Sequence, residues 1–137
     1  MYKPRLLLVE DQVDLRELFG LHLTAAGYEV ESAADGLQGL DKARTNPPDI
    51  MVVDMAIPGL DGSELCQRLR ADPAFPVIPI LIYSGFPPTD PRVVVAMQLP
   101  RVSYEPKGTL RNLSAVIGGL LRKGDETKKL MHATGGQ

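Results

Sequence analysis

At 137 residues the chain is long enough for one ordinary domain and too short for two. Its 15 basic and 17 acidic residues leave a net charge of −2, which argues against a basic face for nucleic acid or an anionic membrane. No apolar run approaches the roughly 20 residues that cross a bilayer, and the start, Met1-Tyr2-Lys3-Pro4, does not read as a secretory signal.

In chain order, Leu6-Leu7-Leu8-Val9 is a short unbroken apolar run followed by Glu10-Asp11. Val13, Leu15, Leu18, Phe19, Leu21, Leu23 and Ala26 then follow a helical pattern, and Gly27 stands where helices commonly stop. Residues 28–32 alternate polar and apolar, the pattern of a strand near a sheet edge. Residues 36–44 predict a second helix, closed by Asn46-Pro47-Pro48. Ile50-Met51-Val52-Val53 is wholly apolar and ends at Asp54, as expected of a strand buried on both faces. Residues 56–62 hold Pro58, Gly59 and Gly62 and read as a loop. Residues 63–71 form the third predicted helix, capped by Asp61, with Leu65, Cys66 and Leu69 on one face. Residues 77–83 are the fourth strand, ending at Ser84-Gly85. Prolines 87, 88 and 91 delay the next helix, which spans residues 92–99 for about two turns before Pro100 closes it. Residues 102–105 are the fifth strand and residues 110–121 the last helix. The sequence thus divides into a domain over 1–122 and a charged, glycine-containing segment over 123–137, expected to be a solvated, disordered tail.

Strands alternating with helices predict an α/β fold, an open parallel sheet with helices on both faces. Crossovers of this length force parallel pairing, and one common order for such a chain is the flavodoxin-like 2-1-3-4-5. In that order ligands bind outside the carboxyl ends of the strands, where the connections of strands one and three part. Glu10, Asp11, Asp54, Ser84 and Lys107 all fall at those ends. Crowded carboxylates repel one another, and a hard divalent cation such as Mg²⁺ relieves the repulsion. A lysine and a hydroxyl beside them would stabilise an incoming phosphoryl group, so the set has the parts that phosphoryl transfer needs.

The ordered set resembles the receiver domains of bacterial two-component response regulators, of the single-domain, chemotaxis-regulator-like kind, over residues 5–121. The resemblance lies in Glu10-Asp11, in Asp54-Met55-Ala56-Ile57-Pro58-Gly59-Leu60-Asp61-Gly62, in Ser84, in Lys107, and in Tyr104 three positions before that lysine. It implies that Asp54 is a phosphoacceptor served by a sensor histidine kinase or phosphotransfer protein. It implies Mg²⁺ held by Glu10, Asp11, Asp54 and the Ala56 backbone carbonyl. Lys107 and Ser84 would stabilise the phosphoryl group, and Tyr104 would turn inward as the switch. Output would pass through the fourth helix, fifth strand and fifth helix to a protein target not named by the sequence. The implied protein is a cytoplasmic signalling phosphoprotein, a monomer or weak dimer, with no enzymatic role beyond its own phosphorylation and dephosphorylation. It would touch neither nucleic acid nor membrane directly.

Two departures from the family pattern stand out. Gly108 replaces the proline that usually follows the lysine through a cis bond, and Leu99-Pro100-Arg101 replaces a Gly-Ala before strand five. The unusual stretch over residues 87–100 motivates an alternative, a constitutive binding module that keeps the fold without phosphorylation, against which the intact Asp11, Asp54 and Lys107 weigh. Each residue also has a plainer reading: Asp54 and Ser84 as turn residues, Glu10 and Asp11 as favourable charges at a helix start, Tyr104 as a static strand residue. Single Cys66 cannot form an internal disulfide, suits a reducing compartment and reads as a small packing residue. His22 and His132 lack partners for a metal site, and Lys128-Lys129 serves solubility.

Overall fold

The computed structural model describes residues 2–108 and 110–135, with side chains as far as Lys123. Its elements run β1 (Arg5–Val9), α1 (Val13–Ala25), β2 (Glu29–Ala33), α2 (Gly36–Thr45) and β3 (Ile50–Val53). They continue with α3 (Gly62–Ala71), β4 (Ile80–Ser84), α4 (Pro91–Met97), β5 (Val102–Pro106) and α5 (Leu110–Gly135). The strands form one parallel sheet in the order β2-β1-β3-β4-β5. The alternating strand at residues 28–32 is indeed an edge strand, β2.

Side chains of the central strands alternate between two buried layers. Leu6, Leu8, Ile50, Val52, Leu81 and Tyr83 pack with Phe19 and Leu23 of α1 and Leu113 and Ile117 of α5. Leu7, Val9, Met51, Val53, Ile80 and Ile82 pack with residues of α2, α3 and α4, among them Leu40, Leu65 and Val93. Each such aliphatic side chain contributes about 1.5–3 kcal/mol when taken from water. Three of the helices, α2, α3 and α4, are capped at their starts by carboxylates. Asp35 accepts from the Gln38 amide at 2.8 Å, and Asp61 accepts from the Glu64 amide at 2.8 Å; of these, the Asp61 cap is the one the sequence predicts.

Register brings the chemistry to one rim. Val9 lies opposite Val53, Val53 opposite Ile82, and Ser84 opposite Pro106. The residues that follow β1, β3 and β5, and the last residue of β4, therefore leave the sheet side by side. Gly62 lets α3 start close beneath this rim: a Cβ there would stand 2.7 Å from the Asp54 carbonyl oxygen and 2.9 Å from Met55 Cα.

Two boundaries differ by more than two residues from the sequence reading. β4 begins at Ile80, not at residue 77, because Pro76 and Pro79 flank Val77-Ile78 and neither supplies the amide a central strand donates. α5 continues to Gly135 instead of stopping at residue 121. Gly124 costs about 1 kcal/mol relative to alanine, too little to stop a helix already nucleated by packed turns. Of the segment read as a solvated tail, residues 136 and 137 and the side chains of 124–135, including Lys128, Lys129 and His132, lie outside the described residues.

Candidate functional site

Glu10 leaves β1 with its amide bonded to the Ala33 carbonyl at 3.0 Å, and Asp54 leaves β3 with its amide bonded to the Val9 carbonyl at 3.0 Å. These backbone bonds extend the sheet by one residue and aim both carboxylates into the rim. Asp11 stands beside them, and carboxylate oxygens of Glu10, Asp11 and Asp54 lie within 4.8 Å of one another. Glu10 is 1% exposed and Asp54 7%. Asp11 is the more open of the three.

Lys107 closes the group from the end of β5. Its Nζ donates to Glu10 Oε1 at 2.8 Å and to Asp54 Oδ2 at 3.1 Å. Burial is the largest influence on the Glu10 carboxyl and raises its pKa. The bond from Lys107 opposes this, and the neighbouring Asp54 charge adds to it, leaving the carboxyl above its usual range. Burial alone would lower the pKa of the Lys107 ammonium, but its bonds to Glu10 and Asp54 outweigh that and the net shift is upward. With three carboxylates and one ammonium, the rim keeps an excess of negative charge that suits a hard cation.

Ser84 is buried at the end of β4, where its hydroxyl accepts from the Phe86 amide at 3.1 Å and its carbonyl accepts from the Lys107 amide at 3.0 Å. The Ala56 amide faces Asp54 Oδ1 at 3.4 Å in the loop after β3. Tyr104, half-buried in β5, packs against the α2–α3–α4 side of the core and donates its hydroxyl to the Phe86 carbonyl. Glu10, Asp54 and Lys107 thus form one contact group with Asp11 close by, Ser84 borders it through the Lys107 backbone, and Tyr104 stands one step behind Ser84.

Two residues that the sequence reading passed over also shape the rim. Arg16 in the first turn of α1 donates to the carbonyls of Glu10 and Asp11, at 2.9 and 3.2 Å, and so fixes the acidic turn. Its place in the first helical turn that follows the acidic pair was the available signal. Tyr83 reads as one more apolar strand residue, yet its hydroxyl donates to the Gly108 carbonyl at 3.1 Å and accepts from the Gly108 amide at 3.0 Å. Away from the rim, His22 bonds to Ser114 at 2.7 Å and Cys66 is fully buried.

Comparisons with known proteins agree on the family. The model of the response regulator receiver domain matches residues 6–107. Transcriptional regulatory protein AfsQ1 of Streptomyces coelicolor is 37% identical over 123 residues, which are 89% of this chain and 53% of that protein. The DNA-binding dual master transcriptional regulator RpaA of Synechocystis is 38% identical over 82 residues, 60% of this chain and 34% of that protein. The chain therefore spans about half, or less, of the curated relatives it matches. Among solved structures, chemotaxis protein CheY4 of Vibrio cholerae superposes with a TM-score of 0.77 at 26% identity, over 87% of this chain and 99% of its own. A response regulator receiver domain protein from Clostridium thermocellum, at 22% identity, shares the fold with a TM-score of 0.80 over 90% of this chain and 98% of its own.

Proposed function

The chain belongs to the response regulator receiver domain family, whose general role is phosphoryl-transfer signalling, and from that premise we propose that Asp54 is its phosphoacceptor. Receiver domains are signalling modules and not enzymes in the ordinary sense. The observation that carries the assignment is the contact of one ammonium, on Lys107, with both Glu10 and Asp54 while Asp11 stands within reach of the same oxygens. An ionised nucleophile, a cation site and a lysine together are the parts that phosphoryl transfer uses.

In this reading an Asp54 carboxylate oxygen bonds to phosphorus as the phosphorus–nitrogen bond of a donor phosphohistidine breaks. The imidazole of the kinase or phosphotransfer protein leaves with the electron pair. Glu10, Asp11 and Asp54, with the Ala56 carbonyl, would hold Mg²⁺, whose charge offsets that of the carboxylates and the transferring oxygens. Lys107 exchanges part of its contact with Asp54 for a phosphoryl oxygen. Ser84, whose oxygen now accepts from Phe86, retains its own proton to donate to another. Recruitment of Ser84 weakens its hold on the Phe86 turn, and Tyr104, bonded to the Phe86 carbonyl, follows inward. That is a local charge event biasing a two-state element.

The changed surface is the face of α4, β5 and α5, and we assign output to a protein partner there. A net charge of −2 favours a protein over direct contact with nucleic acid. We take residues 1–122 as the switch and 123–137 as an appended segment, the molecule as a monomer or weak dimer, and the compartment as the cytoplasm, where unpaired Cys66 stays reduced. The test is site mapping: after treatment with an acyl phosphate and Mg²⁺, borohydride reduction of an aspartyl phosphate leaves homoserine at its position. Homoserine at 54 is expected; homoserine elsewhere, or none, contradicts the assignment.

A further inference from the structure

We propose that Tyr83 is the positioning residue for Lys107, acting through the backbone of Gly108; the proposal rests on the reading of Lys107 as the group that pairs with the phosphoryl oxygens. Tyr83 is a β4 residue with 3% exposure, its ring set edge-on to Phe19 at a centroid distance of 5.5 Å and an angle of 69°. Packing on the α1–α5 side of the sheet fixes the ring. Its hydroxyl is thereby delivered to the turn between β5 and α5, where it accepts from the Gly108 amide and donates to the Gly108 carbonyl.

The neighbouring strand residue completes the hold. The Ser84 carbonyl accepts from the Lys107 amide at 3.0 Å, and the Tyr83 hydroxyl accepts from the Gly108 amide at 3.0 Å. These amides belong to the two peptide units on either side of the Lys107 Cα. Holding both leaves that residue little freedom in φ and ψ, so the direction of its side chain is set by β4. From there Nζ reaches Glu10 and Asp54.

Gly108 is not present for want of space or for an unusual conformation. A Cβ at that position would meet only the Pro106 carbonyl oxygen, at an ordinary 3.7 Å, and the positive-φ glycines are Gly27 and Gly59. What position 108 supplies is an amide N–H, which proline lacks. All described peptide bonds are trans. Tyr83 and the Gly108 amide therefore do together, by hydrogen bonding, what the usual lysine–proline bond does by covalent restraint in the pattern this chain departs from.

Removing the hydroxyl leaves a polar amide and carbonyl of Gly108 without their partner and frees the turn. A displacement of about 1 Å at a reacting group can cost on the order of 100-fold in rate. Tyr83→Phe is thus expected to slow phosphoryl uptake from an acyl phosphate by roughly 5- to 50-fold in the presence of Lys107. In the Lys107→Ala background the same substitution should change the rate by less than about twofold, because coupled residues are not additive. Equal slowing in both backgrounds, or no slowing in either, overturns the proposal.

A second measurement does not depend on phosphorylation at all. By NMR, the Lys107 side-chain signals of the parent should be dispersed and rigid, and Tyr83→Phe should move them toward those of exposed lysines. Unchanged signals overturn the proposal even if Asp54 takes phosphate, whereas loss of phosphoryl uptake by the parent counts against Asp54 and leaves this result standing. Ile117→Val, in the same apolar layer, lowers stability without touching the hydroxyl and should leave both readouts unmoved.

Discussion

The ammonium of Lys107 lies 2.8 Å from Glu10 Oε1 and 3.1 Å from Asp54 Oδ2, so one cation is shared between two buried carboxylates. Glu10 and Asp54 gain their tolerance of each other from that sharing. Removing one partner of a buried pair is costly because the remaining charges stay desolvated. The Lys107 side chain is 22% exposed, so solvent and relaxation recover part of the loss. Lys107→Met should therefore destabilise the metal-free protein by about 1–3 kcal/mol. Saturating Mg²⁺ should raise the melting temperature of Lys107→Met more than that of the parent, since an added cation replaces the missing one. Equal shifts would show that the lysine and the metal act on different groups.

Asp11 is the most open member of the acidic group and has no ammonium of its own among the described contacts. It should matter for the cation more than for the fold. Asp11→Ala is expected to weaken Mg²⁺ binding by about tenfold or more, with stability changed by no more than about 0.5 kcal/mol. Calorimetric titration reads the first number and urea unfolding the second. An unchanged titration removes Asp11 from the cation site.

Cys66 is buried among the aliphatics of α3, and burial pushes its thiol up from 9.0 to about 12. The folded state thus holds this proton more tightly than the unfolded chain does. Stability from the group is fully present below pH 9 and is lost as pH rises toward 12, so neutral pH leaves it constant. The thiolate is the reactive form. At pH 8 native protein should react with a thiol-specific disulfide reagent on the order of 100-fold or more slowly than unfolded protein. Comparable rates would place Cys66 within reach of solvent.

Gly62 starts α3 against the backbone of Asp54 and Met55, at 2.7 and 2.9 Å from where a Cβ would lie. Backbone atoms cannot move aside as a flexible side chain can. Gly62→Ala is expected to cost about 1–3 kcal/mol in urea unfolding and to shift the Asp54 amide signal by NMR. A variant as stable as the parent, with that signal unmoved, would mean that α3 does not press on the end of β3 at Asp54.

Much of this was legible in the residues. The unbroken apolar run at residues 50–53 marked a buried strand, the alternation at 28–32 marked an edge, and the parallel order followed from crossover length. Glu10, Asp11, Asp54, Ser84 and Lys107 could be gathered at one rim because a strand's end is a position that sequence reveals. Lengths of charged segments were not legible in the same way. Lys, Glu and Thr beyond Leu121 carry no burial signal, so the continuation of α5 to Gly135 left no mark in the apolar pattern. Nor were contacts made by one atom of an apolar-looking residue: Tyr83 has the periodicity of a core position, and only the meeting of β4 with the turn after β5 brings its hydroxyl to Gly108.

The central claim is that Asp54 takes a phosphoryl group. Its most direct test is intact mass after incubation with a small acyl phosphate and Mg²⁺, for the parent and for Asp54→Asn. The account predicts that the parent gains one phosphoryl group, that chelating the metal abolishes the gain, and that Asp54→Asn gains none. A folded parent that stays unmodified, or an Asp54→Asn variant modified to the same extent, would contradict it.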